Sequence, residues 1–408
     1  MISVEEAVAT VLGAVVSLKP VQMPFLETLG LVLAEDVYAA EPMPPFAASA
    51  VDGYAVIAAD DSAVREVIGV QAAGQVGDVR VVPGTAVRVM TGAPIPRGAD
   101  AVVMIEDTHE EPAGRIRLST SPVTAGSHIR PVGQDLAAGQ MVLQSGTRLG
   151  AAEIGLLATV GRTEVPVYPR PRVAVMSTGD ELVAPGQVLR PGQIRDSNRY
   201  SMLSAVSEAG GQPFDLGCIP DRPEAVQAAL DRALREADAV VTSGGVSMGQ
   251  LDLIKPFLAA RGTVHFGRVR ARPGKPVTFA TVDGVPVFAM PGFPVSALVS
   301  FEVYVRPALL KMAGHTRRQR PRRRVKLEHA IEHETGRTEF QRAVVTRHAG
   351  GRYTARTTGF QGSGRLLSLV GANALLVLPD DQAAFPAGST VEAWITAALQ
   401  EADLTIDQ

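Results

Sequence analysis

Apolar residues at Val4, Ala7, Val8, Val11, Leu12 and Val15 recur every three or four positions, which predicts a helix over 3–16. Ser3 and Glu6 have the spacing of a capping box at its start. Residues 24–38 read as a second helix or an extended entry segment. The three prolines of EPMPPF, 41–46, then predict a stiff crossing linker, because proline fixes φ and has no N–H to give a ladder. From 51 to about 148 the rhythm shortens. Runs such as AVRVM (86–90), AVVMI (101–105) and MVL (141–143) alternate with Gly, Pro and Asp, the pattern of a β-rich region with tight turns. AAEIGLLATVG, 151–161, returns to helical spacing and stops at Gly161.

From 172 to 312 strands and helices alternate. RVAVMS (172–177), PFDLGCI (213–219), DAVVTS (238–243) and VFAM (287–290) read as strands. RYSMLSAVSEAG (199–210), RPEAVQAALDRALREA (222–237), LDLIKPFLAA (251–260) and PVSALVSFEVYVRPALLKM (294–312) read as helices. Such alternation predicts a parallel, doubly wound sheet. Beyond 326 the short runs FQRAVVTR (340–347), YTARTTG (353–359), ALLVLP (374–379) and TVEAWITA (390–397) predict a small all-β module. Between the two lies RRQRPRRRVK, 317–326, either a charged linker or an anion-binding tail.

Composition narrows the classes. At 408 residues the chain exceeds one hydrophobic core and implies two to four domains. Aromatics are only 5%, so the core rests on Val, Leu, Ile and Ala, as in sheets covered by helices. A net charge of −3 supplies no global field for nucleic acid or anionic membrane. The single cysteine, Cys218, excludes an internal disulfide or a thiolate zinc site. His329 and His333 have i,i+4 spacing, which suits either a metal pair or a solvated surface. No apolar run approaches the roughly 18 residues of a membrane span. The acidic start MISVEEAV lacks a secretory leader's basic residues, so the cytoplasm is the expected compartment.

Ligands of a parallel sheet bind at the carboxyl ends of its strands. After the first strand, STGDEL (177–182) offers hydroxyls and then Asp180 and Glu181. After the third, TSGGVSMGQLD (242–252) offers Gly244, Gly245 and Gly249 for close backbone approach, with Ser243 and Ser247 as donors to a phosphate. It matches no nucleotide fingerprint and reads equally as a tight turn. Glu181, Asp221 and Asp252 all fall at this edge, where three carboxylates beside a phosphate would hold Mg²⁺. Asp221 also suits the N-cap of its helix. In RVRARPGKP (268–276), Arg268, Arg270 and Arg272 share a face if extended, which suits an oxyanion or a phosphate or else a solvated edge strand, and Lys275 on its rigid turn favours the anion. Pro291, Pro294 and Ser296 lie in the rigid turn MPGFPVSA (290–297). Asp52, Thr91 and Asp135 stand at turns of the β-rich region, where each alone is an ordinary turn former.

In their order, SAVDGYAV, RVMTGAPIPRGADAVV, GQDLAAG, GTRL, STGDEL, TSGGVSMG, RPGKP and MPGFPVSA resemble the molybdopterin molybdotransferases, the MoeA family and gephyrin E-domain group, over essentially the whole chain. The resemblance implies a multidomain α+β and α/β homodimer. It would have an elongated helical dimerisation domain (1–50 with 140–171) and a β-rich domain (51–139). A doubly wound MogA-like parallel-sheet domain (172–315) and a C-terminal β-barrel (316–408) would follow. It implies insertion of molybdate into adenylylated molybdopterin with release of AMP and a need for Mg²⁺. Implied partners are the molybdopterin adenylyltransferase and apo-molybdoenzymes, with neither nucleic acid nor membrane. Carried over residue by residue, Asp52, Thr91, Asp135, Glu181, Asp221 and Asp252 take catalytic positions, the last three also as metal ligands. Ser243, Gly244, Gly245 and Ser247 would cradle phosphate. Arg268, Arg272 and Lys275 would meet molybdate and the pterin phosphate in a pocket shaped by Pro291, Pro294 and Ser296. Departures are Val51 for the usual Met, Arg268 and Arg272 for lysines, and Phe293 for Asn in PGNP. A gephyrin-like scaffold and an adenylyltransferase are the rival readings.

Overall fold

The computed structural model describes residues 1–119, 121–244 and 253–402. They form two compact units, Met1–Ala34 with Gly146–Gly150 and Glu164–Gln408, and Glu35–Ser145 with Ala151–Thr163.

In the first unit, helix α1 (Val4–Ala14) starts at the expected capping box: Glu6 N donates to Ser3 Oγ at 3.1 Å and Ser3 N to Glu6 Oε2 at 2.7 Å. Its buried stripe is Val4, Ala7 and Val11. The central module runs β1 (Arg172–Thr178), α2 (Asn198–Glu208), β2 (Gln212–Ile219), α3 (Pro223–Glu236), β3 (Ala239–Ser243), α4 (Ile254–Arg261), β4 (Thr263–Phe266), β5 (Thr278–Val282), β6 (Val285–Met290), α5 (Pro294–Ser300) and α6 (Arg306–Met312). A π-helical turn, Phe301–Val305, joins the last two helices.

The six strands form one sheet in the order β2-β1-β3-β6-β5-β4. The first four are parallel, as the alternation predicts. The antiparallel strands β5 and β4 extend the sheet beyond what the sequence reading anticipated. Strand side chains alternate between two cores. Val173, Val175, Val241 and Phe288 enter one, while Ala174, Met176, Val240 and Val287 enter the other. Both faces are covered, which explains why these strands read as unbroken apolar runs. Each fully buried valine contributes about 1.5–3 kcal/mol.

The C-terminal module has β7 (Arg322–Leu327), β8 (Thr338–Arg347), β9 (Tyr353–Thr357), β10 (Ala374–Leu378) and β11 (Thr390–Ile395). Pairing runs β8-β9-β7-β11-β10 and back to β8, a closed barrel of five strands. The basic run expected as linker or tail is therefore partly a barrel strand. Val325 and Leu327 point inward, and Arg322, Arg323, Arg324 and Lys326 are exposed.

The second unit holds a six-stranded sheet with Gly53–Val56 between Ala101–Met104 and Thr85–Val89. Tyr54 and Val56 pack on one face, Ala55 and Val87 on the other. Arg65 is fully buried here; its guanidinium donates to the carbonyls of Ile57 at 3.0 Å and Asp60 at 2.6 Å and lies 3.3 Å from the Asp60 carboxylate. The expected helix at 151–161 is Ala151–Thr159, with Gly161 at φ 74° just beyond it.

Candidate functional site

Three neighbouring parallel strands finish level: Ser177 of β1 pairs with Ser243 of β3, which pairs with Met290 of β6. Their carboxyl ends therefore stand side by side. They open into a cleft of about 980 Å³ lined from β1 and its loop by Thr178 and Glu181, from β3 by Ser243 and Gly244, and from the turn after β6 by Pro291 and Pro294. Arg272, Lys275 and Ser296 also face it. The loops approach closely at Gly244, whose φ is 93°; a Cβ there would stand 2.5 Å from the Thr178 carbonyl oxygen.

A buried polar network supports the floor. The Ser177 hydroxyl donates to Asp196 at 2.5 Å, and Arg199 Nε donates to the same carboxylate at 3.0 Å. Arg199 also donates to Asp215 at 2.5 Å and to the Tyr200 hydroxyl at 2.9 Å. Burial alone lowers the Arg199 pKa, but its bonds to Asp215 and Asp196 outweigh this and hold it above the ordinary arginine value. Next to it, Asn198 Nδ2 donates to Ser243 Oγ and to the Gly292 carbonyl, both at 2.7 Å. The sequence reading missed Asp196, Asn198 and Arg199. Their signal was the polar run DSNR, 196–199, which leads into the segment 199–210 read as merely amphipathic.

The acidic side gathers around Asp221. Its N–H donates to Asp180 Oδ1 at 3.2 Å, and its carboxyl is pushed up by burial and by the nearby charges of Asp180 and Glu181. Asp221 is not the N-cap of α3: that position is Arg222, without a side-chain bond, and Pro223 begins the helix with a residue that has no N–H to satisfy. Glu181 is exposed at the cleft and folds back over Gly179, where a Cβ would lie 2.5 Å from its carboxylate. Among the described residues no three His, Cys, Asp or Glu side chains gather closely enough to hold an ion by themselves. Asp252, Gly245 and Ser247 lie outside the described residues.

On the basic side, Arg268, Arg270 and Arg272 do not share one face. Only Ala271–Arg272 is a strand, paired with β8. Arg272 lines the cleft, Arg270 lines a different pocket with Arg324 and Asp380, and Arg268 is exposed outside both. Arg272 lies 3.4 Å from Glu334 and 3.8 Å from Glu339. Phe293 stands at the cleft's lip, 64% exposed, as an N-cap that makes no side-chain bond to α5. The barrel supplies a wall the sequence did not reveal, Arg337 and Gln361–Gly364, tied to α5 by Val295 N donating to the Ser363 carbonyl at 3.0 Å. A glycine-rich QGSG stretch was the available hint.

Asp52, Thr91 and Asp135 belong to the second unit. Antiparallel pairing of Gly53 with Val89 brings Asp52 to Thr91, which donates to its carboxylate from backbone and hydroxyl. Asp135 is exposed and ion-paired with Arg130. His329 and His333 are not on a helix. They bond separately, to Thr357 Oγ1 at 3.0 Å and to the Gln382 carbonyl at 2.6 Å, so they do not form a metal pair. Cys218 is exposed, and its thiol is pushed up by partial burial.

Comparison with known proteins places these features in one context. The description "MoeA N-terminal region (domain I and II)" matches residues 2–161, "Probable molybdopterin binding domain" matches 174–311, and "MoeA C-terminal region (domain IV)" matches 324–396. Molybdopterin molybdenumtransferase 2 of Mycobacterium tuberculosis is 38% identical over 408 residues, covering 97% of this chain and 99% of its own. Gephyrin of Dictyostelium discoideum is 37% identical over 422 residues, covering 90% of this chain and 58% of its own. The crystal structure of the molybdopterin biosynthesis MoeA protein from Pyrococcus horikosii superposes with a TM-score of 0.83 at 31% identity, covering 98% of this chain and all of that one. With an α/β module whose strand ends open a polar cleft, a closed C-terminal barrel and matching relatives along nearly its whole length, the chain belongs to the MoeA family of molybdopterin molybdenumtransferases.

Proposed function

We propose that the cleft at the ends of β1, β3 and β6 is where molybdate meets adenylylated molybdopterin. As a MoeA-family enzyme the chain is a transferase of molybdenum cofactor biosynthesis, inserting molybdate into adenylylated molybdopterin as AMP leaves. The observation that carries the assignment to this cleft is its lining: Arg195, Arg272, Lys275 and Arg337 share it with Glu181, Ser243 and Gly244. Fixed cations suit an oxyanion and a phosphate, while hydroxyl and bare backbone suit the oxygens between.

Mg²⁺ would sit where the Asp221 N–H donates to Asp180 and the carboxylates of Asp180, Glu181 and Asp221 repel one another, a repulsion that a bound cation would offset. Glu181, Asp221 and Asp252 would hold it, with phosphate oxygens and water completing its shell. When bound it would neutralise charge on the phosphate bond that breaks. The reading extends to a homodimer in which Asp52 and Asp135 reach this cleft from the partner subunit. It also extends to a cytoplasmic setting, supply of substrate by the adenylyltransferase and delivery to apo-molybdoenzymes. Among the described residues no helix is long and apolar enough to cross a membrane.

AMP release from purified adenylylated molybdopterin, with molybdate and Mg²⁺, tests the assignment. Release that requires molybdate and falls about 100-fold or more in Glu181→Gln supports it. Peptide capture by a folded protein that releases no AMP favours the gephyrin-like scaffold, and ATP-dependent adenylylation favours the adenylyltransferase.

A further inference from the structure

We infer that Asn198 is a positioning residue that sets the Ser243 hydroxyl as a hydrogen-bond donor to the phosphate in the cleft; the inference rests on the cleft being the nucleotide-phosphate site. Asn198 Nδ2 lies 2.7 Å from both Ser243 Oγ and the Gly292 carbonyl oxygen. A carbonyl oxygen can only accept, so the nitrogen of the amide, not its oxygen, faces these two groups. Both Nδ2 hydrogens are then committed, one to the end of β3 and one to the turn after β6. Ser243 Oγ is thereby an acceptor on the protein side, and its own proton is left for another partner. Among the described residues it donates to none.

Ser243 is 3% exposed and lines the cleft, so a ligand held there comes within reach of this hydroxyl. The same amide ties the end of β3 to the turn after β6 at the floor of the cleft. The arrangement has a standing cost. Asn198 is 9% exposed, and its Oδ1 is buried with no hydrogen-bond partner among the described residues. Packing alone gives no reason to retain such an atom; the two donors on the other side of the amide do. Arg199 and Asp196, bonded to each other in the same turn, hold the start of α2 and so the origin of the Asn198 side chain.

The role predicts an order of effects that a filler of space would not produce. Aspartate has the shape of asparagine but presents oxygen to Ser243 and Gly292. The hydroxyl then turns to donate inward and is lost to the ligand, and the Gly292 carbonyl is repelled. Alanine merely frees Ser243 to rotate. The experiment is calorimetric titration of the full chain with AMP in Mg²⁺ buffer, for wild type, Asn198→Ala, Asn198→Asp, Ser243→Ala and the Asn198→Ala/Ser243→Ala double variant, with melting curves for each. Expected are a loss of affinity of about tenfold in Asn198→Asp, a smaller loss in Asn198→Ala, and a double variant little weaker than Ser243→Ala alone, since the amide acts through that hydroxyl. Additive losses in the double variant, or Asn198→Asp binding as wild type does, overturn the inference while leaving the site assignment intact. If Asn198→Asp does not fold, the Ala cycle decides. Wild-type protein that binds no AMP overturns the site assignment itself, and this inference with it.

Discussion

Asp52 Oδ1 accepts two hydrogen bonds from Thr91, one from its N–H at 2.6 Å and one from its hydroxyl at 2.8 Å. These bonds, the backbone one foremost, hold the exposed Asp52 carboxyl below the usual aspartate range. Thr91→Val keeps the backbone bond and removes the hydroxyl. The Asp52 pKa should move up toward its ordinary value without regaining it, as read by carboxyl-carbon NMR titration. An unchanged titration would mean that the hydroxyl contributes nothing.

If the proposed assignment is right, Asp221 should separate catalysis from folding. Its folded pKa is raised, so its favourable contribution to stability is present below the ordinary value of about 4 and is lost as pH rises through the folded value. At neutral pH the ionised group opposes folding. Asp221→Asn should therefore melt no lower than wild type at pH 7.5, while AMP release and the Mg²⁺-induced rise in melting temperature both fall. A lower melting temperature would point to a structural role instead.

The buried pair of Arg65 and Asp60 should behave in the opposite sense with pH. Burial raises the Asp60 pKa, but hydrogen bonds from Gly84 and Ser62 and the charge of Arg65 outweigh it, leaving the group lowered. Its contribution is present above about pH 4 and is lost as pH falls through the folded value. Arg65→Ala leaves that carboxylate buried and unpaired, at a cost of about 3–5 kcal/mol in denaturant titration. Asp60→Asn should flatten the acid limb of the stability curve below about pH 4.

Gly244→Ala should cost more than Gly210→Ala. Both glycines have positive φ, 93° and 84°, but a Cβ on Gly210 meets nothing within 4 Å, whereas one on Gly244 meets the Thr178 carbonyl. Backbone strain alone accounts for about 1–3 kcal/mol. The clash adds to it at Gly244 and pushes β1 and β3 apart at the cleft. Equal melting temperatures for the two variants would show that the strand ends yield freely.

Much of the scaffold was legible because its forces are local or periodic. The α1 face and its capping box follow from residues within three or four positions of one another. The buried parallel strands announce themselves as apolar runs because both of their faces meet helices. What stayed hidden depends on partners distant in sequence. Asn198 and Arg199 lie on the buried side of α2, where polar residues blur the amphipathic pattern. Their burial is compensated by Ser243, Gly292 and Asp215, which no local window contains. Arg337 and Gln361–Gly364 reach the cleft only because the barrel folds beside it. The run at 317–326 was misread for a related reason: outward arginines on a barrel strand have the same composition as a solvated linker, and only Val325 and Leu327 mark the inward face.

Among the described residues the ring formed by β7 to β11 closes on itself, although β7 meets β9 only at Lys326–Thr354 and Leu327–Ala355. Ala271–Arg272 and Gln400–Glu401 pair with the overhanging ends of β8. Where a strand of the ring is paired on both sides, a peptide cannot be recruited by strand addition, so recognition there falls to side chains, and that part of the wall is a poor template for aggregation.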